Sequence, residues 1–131
     1  MYMLDTDICI YIINERTENV LRRLHDKKGN GLFISTITLS ELEFGIENSG
    51  YKEKNRMALL GFLAIMGIKR FDENAARECG IVKKDLKDRG CLIGPMDILI
   101  GAHAKSQNMT LVTNNADEFS RIKGLAVENW A

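Results

Sequence analysis

Two carboxylates one residue apart, Asp5 and Asp7, follow a short apolar run at the start of the chain. The run Tyr2 to Leu4 predicts a buried strand, and open α/β sheets bind ligands in the crevice outside the carboxyl ends of their strands. Two acids at a buried edge are costly unless a cation binds there. The pair therefore indicates a site for a divalent metal ion, whose other ligands must come from later segments.

Glu41 and Asp97 are later acids that could complete such a site. Glu41 lies in the first turns of a predicted helix, although an acid there also stabilises a helix by about 0.3 to 1 kcal/mol through the macrodipole alone. Asp97 follows Pro95 in the most apolar helix of the chain. Because an unpaired carboxylate there would be protonated or expelled, its position favours a bound cation over a capping role alone.

Further oxygen-bearing side chains follow the fourth predicted strand. They are Thr113, Asn115, Asp117 and Glu118. An Asn binds a hard cation only through its carbonyl, so Glu118 is a reasonable substitute for an acid at Asn115. Since the constellation offers oxygen ligands and no cluster of Cys or His, it fits Mg²⁺ or Mn²⁺ and not Zn²⁺.

Strands and helices alternate along the chain, which predicts an α/β fold with right-handed crossovers. The predicted strands are 2–4, 32–34, 68–71, 110–113 and 126–128. The predicted helices are 8–13, 18–28, 38–47, 52–66, 72–89 and 96–106. We expect a central, mainly parallel, twisted sheet of four to five strands flanked by helices, with all strand ends gathered on one edge.

Three details of this scheme can be tested against the structure. Thr6 or Asp7 is expected to cap the first helix. The helix over 52–66 is expected to turn Met57, Leu60, Leu63 and Ala64 toward the core. The helix over 72–89 is expected to bury Ala75, Cys79, Val82 and Leu86, which are spaced three or four residues apart.

The 131 residues suffice for one domain, residues 1–131, and leave no room for a second. Lys plus Arg and Asp plus Glu number 18 each, so a nucleic-acid surface would have to be local. The candidate cations are Lys69, Arg70, Lys83, Lys84, Lys87, Arg89, Arg121 and Lys123.

The three cysteines and the hydropathy pattern predict where the chain resides. Cys9, Cys79 and Cys91 lack metal-ligand spacing and are expected to be buried thiols in a reducing cytosol. No basic-then-apolar leader and no apolar run of about 18 residues occurs, so a cytoplasmic protein without a membrane span is expected.

Four segments together resemble the PIN-domain ribonucleases, specifically the VapC-type toxins of toxin–antitoxin pairs. They are Met3–Asp7, Ile34–Leu42 with Gly45, Gly94–Asp97 with Ile100 and His103–Ala104, and Val112–Asn115 through Glu118–Phe119. The similarity spans essentially the whole chain and implies a single, three-layer PIN-like domain. By this resemblance Asp5, Glu41 and Asp97 correspond to the three acids of the family's active site.

The chain departs from the family pattern at two positions. The fourth acid of the family usually falls near Asn115, and toxins that share this Asn retain an acid at the position of Glu118. Asp7 replaces the Asn that is more often found two residues after the first acid. This replacement adds negative charge and bears on how many metal ions bind.

The resemblance also implies an activity and partners. It implies an endoribonuclease toxin that depends on Mg²⁺ or Mn²⁺, cleaves structured RNA such as the anticodon stem-loop of initiator transfer RNA, and so inhibits translation. The implied partners are a VapB-type antitoxin and a second copy of the chain. Asp5 and Asp97 would bind the metal directly and Glu41 would act on its water, while Thr6, Thr113 and Asn115 hold these ligands in place.

Two alternatives to this activity remain at this level. Asp5 and Asp7 match the D-x-D signature of haloacid-dehalogenase-type phosphatases, in which the first acid is a nucleophile, although Ile8 and Cys9 follow where that family has Gly and Thr. Asn115 in place of an acid motivates the second alternative, a non-catalytic module that binds RNA or protein. His103 is expected to be a hydrogen-bonded core residue and no general base.

Overall fold

Five short strands form one sheet in which every neighbouring pair is parallel. The computed structural model describes residues 1–131. Its strands are β1 (Tyr2–Leu4), β2 (Leu32–Ser35), β3 (Gly67–Lys69), β4 (Thr110–Val112) and β5 (Val127–Glu128). Their order across the sheet is β3-β2-β1-β4-β5. This all-parallel sheet confirms the predicted α/β class.

Seven helices connect the strands. They are α1 (Thr6–Ile13), α2 (Glu18–Lys27), α3 (Thr36–Glu47), α4 (Lys52–Leu63), α5 (Glu73–Asp88), α6 (Pro95–Ser106) and α7 (Ala116–Phe119). The short helix α7 was not predicted, because four residues cannot display a helical repeat. No helix combines the length and the apolar character needed to span a membrane.

The sheet separates two apolar cores, since successive strand residues point to opposite faces. Leu4 belongs to a core that α1, α2, α3 and α4 cover, together with Trp130 near the end of the chain. Met3 belongs to a second core, which is built mainly from α5, α6 and α7. Helices, sheet and helices thus form the three layers that the resemblance to PIN domains implied.

The strand order places a topological switch point between β1 and β4. From β1 the chain continues to β2 on one side, whereas from β4 it continues to β5 on the other side. Connections that leave in opposite directions open a crevice at the carboxyl ends of the two strands. Asp5 and Thr113 directly follow these two ends and therefore lie at the mouth of the crevice.

Two predicted helix starts were wrong. The cap of α1 is Asp5, whose carboxylate accepts a hydrogen bond from the Thr6 N–H, and not Thr6 or Asp7. Helix α3 begins at Thr36 and not at Thr38. Of the two residues whose types could cap it, Ser35 and Thr38, it is Ser35 that accepts the Ile37 N–H, at 3.0 Å.

The predicted buried face of α4 was also wrong. Leu59 and Phe62 enter the core, whereas Met57 and Leu60 are exposed. The repeat of apolar residues in α4 is nearly continuous, so it does not single out one face. The stripe of α5 is confirmed at Ala75, Val82 and Leu86. Cys79 and Cys91 are half-buried, and of the three thiols only that of Cys9 is buried.

Neighbouring leucines on α4 provide a direct test of which face packs. Leu59 is 2% exposed and Leu60 is 53% exposed. We expect Leu59→Ala to lower the free energy of unfolding by about 3 kcal/mol, since it leaves a cavity in the core. The matched control Leu60→Ala should lower it by less than about 1 kcal/mol. Urea denaturation of both variants checks this, and equal losses would show that the assignment of the face is wrong.

Candidate active site

Asp5 is held at the end of β1 by two neutral hydrogen-bond donors. Its Oδ1 accepts the Thr6 N–H at 2.8 Å, and its Oδ2 accepts the Thr113 hydroxyl at 2.8 Å. The side chain is only 6% exposed. Both oxygens are therefore fixed in direction, yet no donor in this set carries a charge that would balance the carboxylate.

Glu41 joins this group through Thr6. The Thr6 hydroxyl donates to Glu41 Oε1 at 2.6 Å. The hydroxyl oxygen of Thr6 also lies 3.3 Å from the hydroxyl oxygen of Thr38. Thr38 is buried and lies one turn before Glu41 on α3. Because Thr6 has one proton and gives it to Glu41, Thr38 is the donor in the second contact. This chain of hydroxyls fixes α3 against the start of α1.

The segment after β4 supplies the third side of the site. Thr113 accepts the Asn115 N–H at 2.9 Å while it donates to Asp5, so its hydroxyl has a single orientation. Asn115 in turn donates its amide to Glu118 Oε2 at 2.7 Å. Asn115 therefore orients Glu118 in this arrangement.

Asp97 approaches from the opposite layer, in the first turn of α6. Gly94 makes room for it, since a Cβ at that position would lie 3.3 Å from Asp97 Oδ2. Gly101, one turn further along α6, brings the segment of Glu118 close. A Cβ there would lie 2.5 Å from Ile122 Cδ1. Small residues on α6 thus bring the Asp97 helix and the Glu118 segment together.

The carboxylates interact with one another strongly enough to shift their pKa values. Burial, followed by the charge of Asp7, raises the pKa of Asp5 to about 7, and Asp97 adds to this shift. Burial also raises the pKa of Asp97, with further contributions from Glu118 and Glu41. The structure therefore brings the predicted site acids together.

Asp7 lies beside Asp5 and is half-buried. Its Oδ1 accepts the Ile8 N–H at 2.7 Å. Burial raises the pKa of Asp7 in spite of this hydrogen bond. The charged groups that shift the pKa values of Asp5 and Asp97 are all carboxylates, and none is a Lys or an Arg. The site is thus an uncompensated acidic cluster.

The donor set fits a hydrated Mg²⁺ or Mn²⁺ better than a fully enclosed ion. No group of three or more Asp, Glu, His or Cys side chains is placed to hold a metal ion by itself. Mg²⁺ retains several waters in proteins and takes only one or two carboxylates directly. Asp5 and Asp97 could supply those ligands, with the remaining acids contacting metal-bound water.

Four of the eight candidate RNA-binding cations are engaged elsewhere. Three form ion pairs with acids of α5, namely Lys84 with Asp88, Arg89 with Asp85, and Lys123 with Asp85. Lys69 lies over the ring of Phe33 at 4.6 Å. Arg70 forms no ion pair and is exposed directly after β3, at the edge of the sheet that carries the acids. Arg70 is therefore the best-placed cation for a phosphate.

Three buried polar residues lie around the site, and the prediction of His103 as a hydrogen-bonded core residue is confirmed, although its partner could not be predicted. Ser35, Thr38 and His103 are fully buried. The signal for Thr38 was its spacing, three residues before Glu41 on the same helical face. The contact of His103 with Ser35 joins residues 68 positions apart, which no local pattern reveals.

The match to a family model assigns the chain to a class. The model described as PIN domain matches residues 2–125. The chain belongs to the PIN-domain family, and within it to the VapC-type ribonucleases that its motifs resemble. This result removes the support for a haloacid-dehalogenase-type phosphatase, since the D-x-D pair lies in a PIN fold.

Individual proteins and structures similar to this chain are VapC proteins and VapBC complexes. Ribonuclease VapC2 of Rickettsia felis is 41% identical over 131 residues, which cover 99% of this chain and 98% of that protein. The tRNA(fMet)-specific endonuclease VapC of Shigella flexneri is 37% identical over 130 residues, which cover 99% of this chain and 98% of that protein. The chain also superposes on a crystal structure of VapBC2 from Rickettsia felis bound to a DNA fragment from its promoter, with a TM-score of 0.94. The identity is 39%, and the match covers 99% of this chain and 98% of that one.

The raised pKa of Asp5 predicts how stability depends on pH. The folded state holds a proton that the unfolded state releases above its ordinary pKa of 3.8. Stability should therefore fall as the pH rises from about 4 to about 7. Asp5→Asn removes the titrating group, so we expect it to raise the free energy of unfolding at pH 8 by on the order of 2 kcal/mol.

Urea denaturation at pH 5 and pH 8 in the presence of a chelator measures this effect. Asp117→Asn removes an exposed carboxylate from α7 and controls for the loss of one charge. A variant Asp5→Asn that loses as much stability as the wild type between pH 5 and pH 8 would contradict the burial of this carboxyl group.

Proposed function

We propose that this chain is a metal-dependent endoribonuclease toxin that cleaves transfer RNA and thereby inhibits translation. The observation that carries the proposal is the convergence of Asp5, Glu41 and Asp97 at the switch point, in an acidic cluster without a cation of its own. Relatives that match the chain over nearly its full length are named as ribonucleases. Since the reaction acts on transfer RNA, the cytoplasm is the proposed place of action.

In this proposal each site residue has a separate part in phosphodiester hydrolysis. Asp5 and Asp97 would hold a divalent ion, and Thr113 keeps the Asp5 carboxylate oriented for this. When bound, such an ion would supply a water of lowered pKa and stabilise charge on the leaving oxygen. The Thr6 hydroxyl engages Glu41 Oε1, which leaves Oε2 to accept the proton of the attacking water. The products carry a 5'-phosphate and a 3'-hydroxyl.

Glu118 and Asp7 have supporting parts. Glu118 raises the pKa of Asp97 through its charge, so the two carboxyl groups are close enough to share one ion or its water. Asp7 adds charge beside Asp5, which favours a second, weaker cation near the first. We therefore place Glu118 in the position of the missing fourth acid, with Asn115 as the residue that orients it.

The substrate proposal rests on the relatives and on the surface. The relative from Shigella flexneri is named for tRNA(fMet), so initiator transfer RNA is the first substrate to test. RNA must approach an acidic pocket, and Arg70 at the same sheet edge can bind a phosphate on one side of the scissile bond. Strands lie about 4.8 Å apart, so the two-strand step from β3 to β1 spans about 10 Å, one to two nucleotides of an RNA backbone.

Removal of one carboxylate tests the proposed chemistry. We expect Asp97→Asn to lower the rate of transfer RNA cleavage at least about 100-fold, because a direct metal ligand is lost. Asp117→Asn, an exposed acid on α7, should cut at the wild-type rate. Gel analysis of initiator transfer RNA incubated with Mn²⁺ measures both variants.

The same assay with a chelator separates the alternatives. Excess EDTA should stop cleavage, and added Mn²⁺ should restore it. RNA that stays uncut by folded wild-type protein at high concentration would favour a non-catalytic binding module. Full cleavage in EDTA, or by Asp97→Asn, would contradict the metal site.

We further propose a VapB-type antitoxin as the protein partner and a homodimer as the state of the toxin. Structures similar to this chain are VapBC complexes. A groove of about 180 Å³ runs beside the site between α1, α3 and α4. Residues that line it include Ile10, Ile13, Glu41, Leu42, Gly45 and Ile46. An apolar segment with a cationic end would fit this groove, because apolar side chains line it and Glu41 is part of its wall.

Gly45 permits the groove to be filled selectively. A Cβ at Gly45 meets nothing within 4 Å, so Gly45→Phe is compatible with the fold. We expect this variant to bind a VapB-type antitoxin encoded beside the toxin at least roughly tenfold more weakly, since the ring occupies the groove. Gly80→Phe, at an equally open position on α5, is the control. Calorimetric titration measures both, and unchanged affinity of Gly45→Phe would place the antitoxin elsewhere.

A further inference from the structure

His103 is a buried polar residue that the proposed reaction does not use. It lies on α6, six residues after Asp97, and is fully buried. Its Nδ1 lies 2.8 Å from Ser35 Oγ. Its Nε2 is the one buried side-chain nitrogen or oxygen without a hydrogen-bond partner. A buried imidazole with one side-chain hydrogen bond is costly, and the nearby backbone of Arg70, which favours the protonated ring, offsets only part of this cost.

A Ser35 hydroxyl that donates to Nδ1 uses its one hydrogen, for which no other acceptor is in place. Ser35 Oγ already accepts the Ile37 N–H at 3.0 Å, which caps α3. Its single hydrogen is then free to go to Nδ1, and the proton of the imidazole resides on Nε2. Burial lowers the pKa of His103, so the ring is neutral and Nδ1 can accept.

The same ring fixes the start of α3 from a second side. The Phe71 ring meets the imidazole edge-on, with 5.3 Å between the ring centres. The Phe71 N–H donates to the hydroxyl of Thr36, the first residue of α3, at 3.1 Å. His103 is thus connected to the first turn of α3 in two ways, directly through Ser35 and through Phe71, which bonds to Thr36. That helix carries Glu41 one and a half turns later.

We propose that His103 is a positioning residue that acts through Ser35 to fix the first turn of α3 against α6, and thereby sets the separation of Glu41 from Asp97. Both helices start at the sheet edge of the site, and no other side-chain hydrogen bond or ion pair joins them. A directional hydrogen bond between Nδ1 and Ser35 Oγ does not tolerate sliding of one helix along the other. The proposal rests on the function proposed above, in which Asp97 would hold the ion and Glu41 would contact its bound water, so their separation affects both metal affinity and proton transfer.

Substitution of His103 by Asn or by Gln tests the roles of the two ring nitrogens separately. In His103→Asn the side-chain oxygen can take the position of Nδ1 and accept from Ser35, whereas in His103→Gln the amide extends to the position of Nε2 and leaves Ser35 unpaired. We expect His103→Asn to bind Mn²⁺ within about threefold of the wild type, and His103→Gln to bind it roughly tenfold more weakly. Ser35→Ala removes the same hydrogen bond and should weaken Mn²⁺ binding as His103→Gln does.

Calorimetric titration with Mn²⁺ alone is the primary measurement, with thermal unfolding to establish that each variant is folded. For cleavage of initiator transfer RNA, kcat should fall in His103→Gln while KM stays within about twofold, because the RNA surface is untouched. A residue that only stabilises the fold would lower the melting temperature of both variants and leave Mn²⁺ binding equal.

The outcomes for the two proposals are distinguishable. Wild-type Mn²⁺ affinity in folded His103→Gln, or equal loss in the Asn and Gln variants, would overturn the positioning role. A wild-type protein that binds Mn²⁺ but leaves RNA uncut would contradict the ribonuclease assignment only, and the comparison of Mn²⁺ affinities would still decide the role of His103.

Discussion

Burial and mutual repulsion of a group of carboxylates are the constraint on which the organisation of this molecule depends. Asp5, Asp7, Asp97, Glu41 and Glu118 come from four separate segments, and burial, followed by the charges of neighbouring acids, raises the pKa values of Asp5 and Asp97. The hydrogen bonds that hold Asp5 and Glu41 come from a backbone N–H and from hydroxyls, which orient an oxygen without neutralising it. The cost of assembling the site therefore persists in the folded protein until a cation reduces it. This arrangement is typical of functional sites, where stability is lower than the fold alone would allow.

The two cores supply the stability that this repulsion reduces. Apolar residues fill both faces of the parallel sheet, and the helices that carry the acids are also the helices that pack most fully. Helix α6 combines buried apolar residues with Asp97 at its first turn and His103 in its interior. Asp5 directly follows a strand, Asp97 lies in the first turn of α6, and Glu41 lies mid-way along α3, so each is fixed by an element that packs on the core. Rigid elements thus hold the site at a solvent-accessible edge.

Much of the fold and the site could be predicted from the sequence, for reasons that differ between residues. Asp5 was identifiable because an apolar strand ends directly before it, and Asp97 because an acid is conspicuous in so apolar a helix. The resemblance to PIN domains added the order in which these acids recur. What the sequence could not provide is contact between distant segments: the link of His103 to Ser35 and the role of Thr6 as donor to Glu41 depend on tertiary packing. The buried face of α4 was predicted wrongly, because Leu59 and Leu60 are equivalent in composition and only the packing against α1 and α3 distinguishes them.

The proposed function depends on a divalent cation bound between Asp5 and Asp97. The most direct measurement is an anomalous difference map from crystals of the protein grown or soaked with Mn²⁺. We expect one strong peak within coordination distance of an Asp5 oxygen and an Asp97 oxygen, with water completing the shell. A map in which Mn²⁺ is absent from this crevice, or bound only to acids elsewhere on the surface, would contradict it.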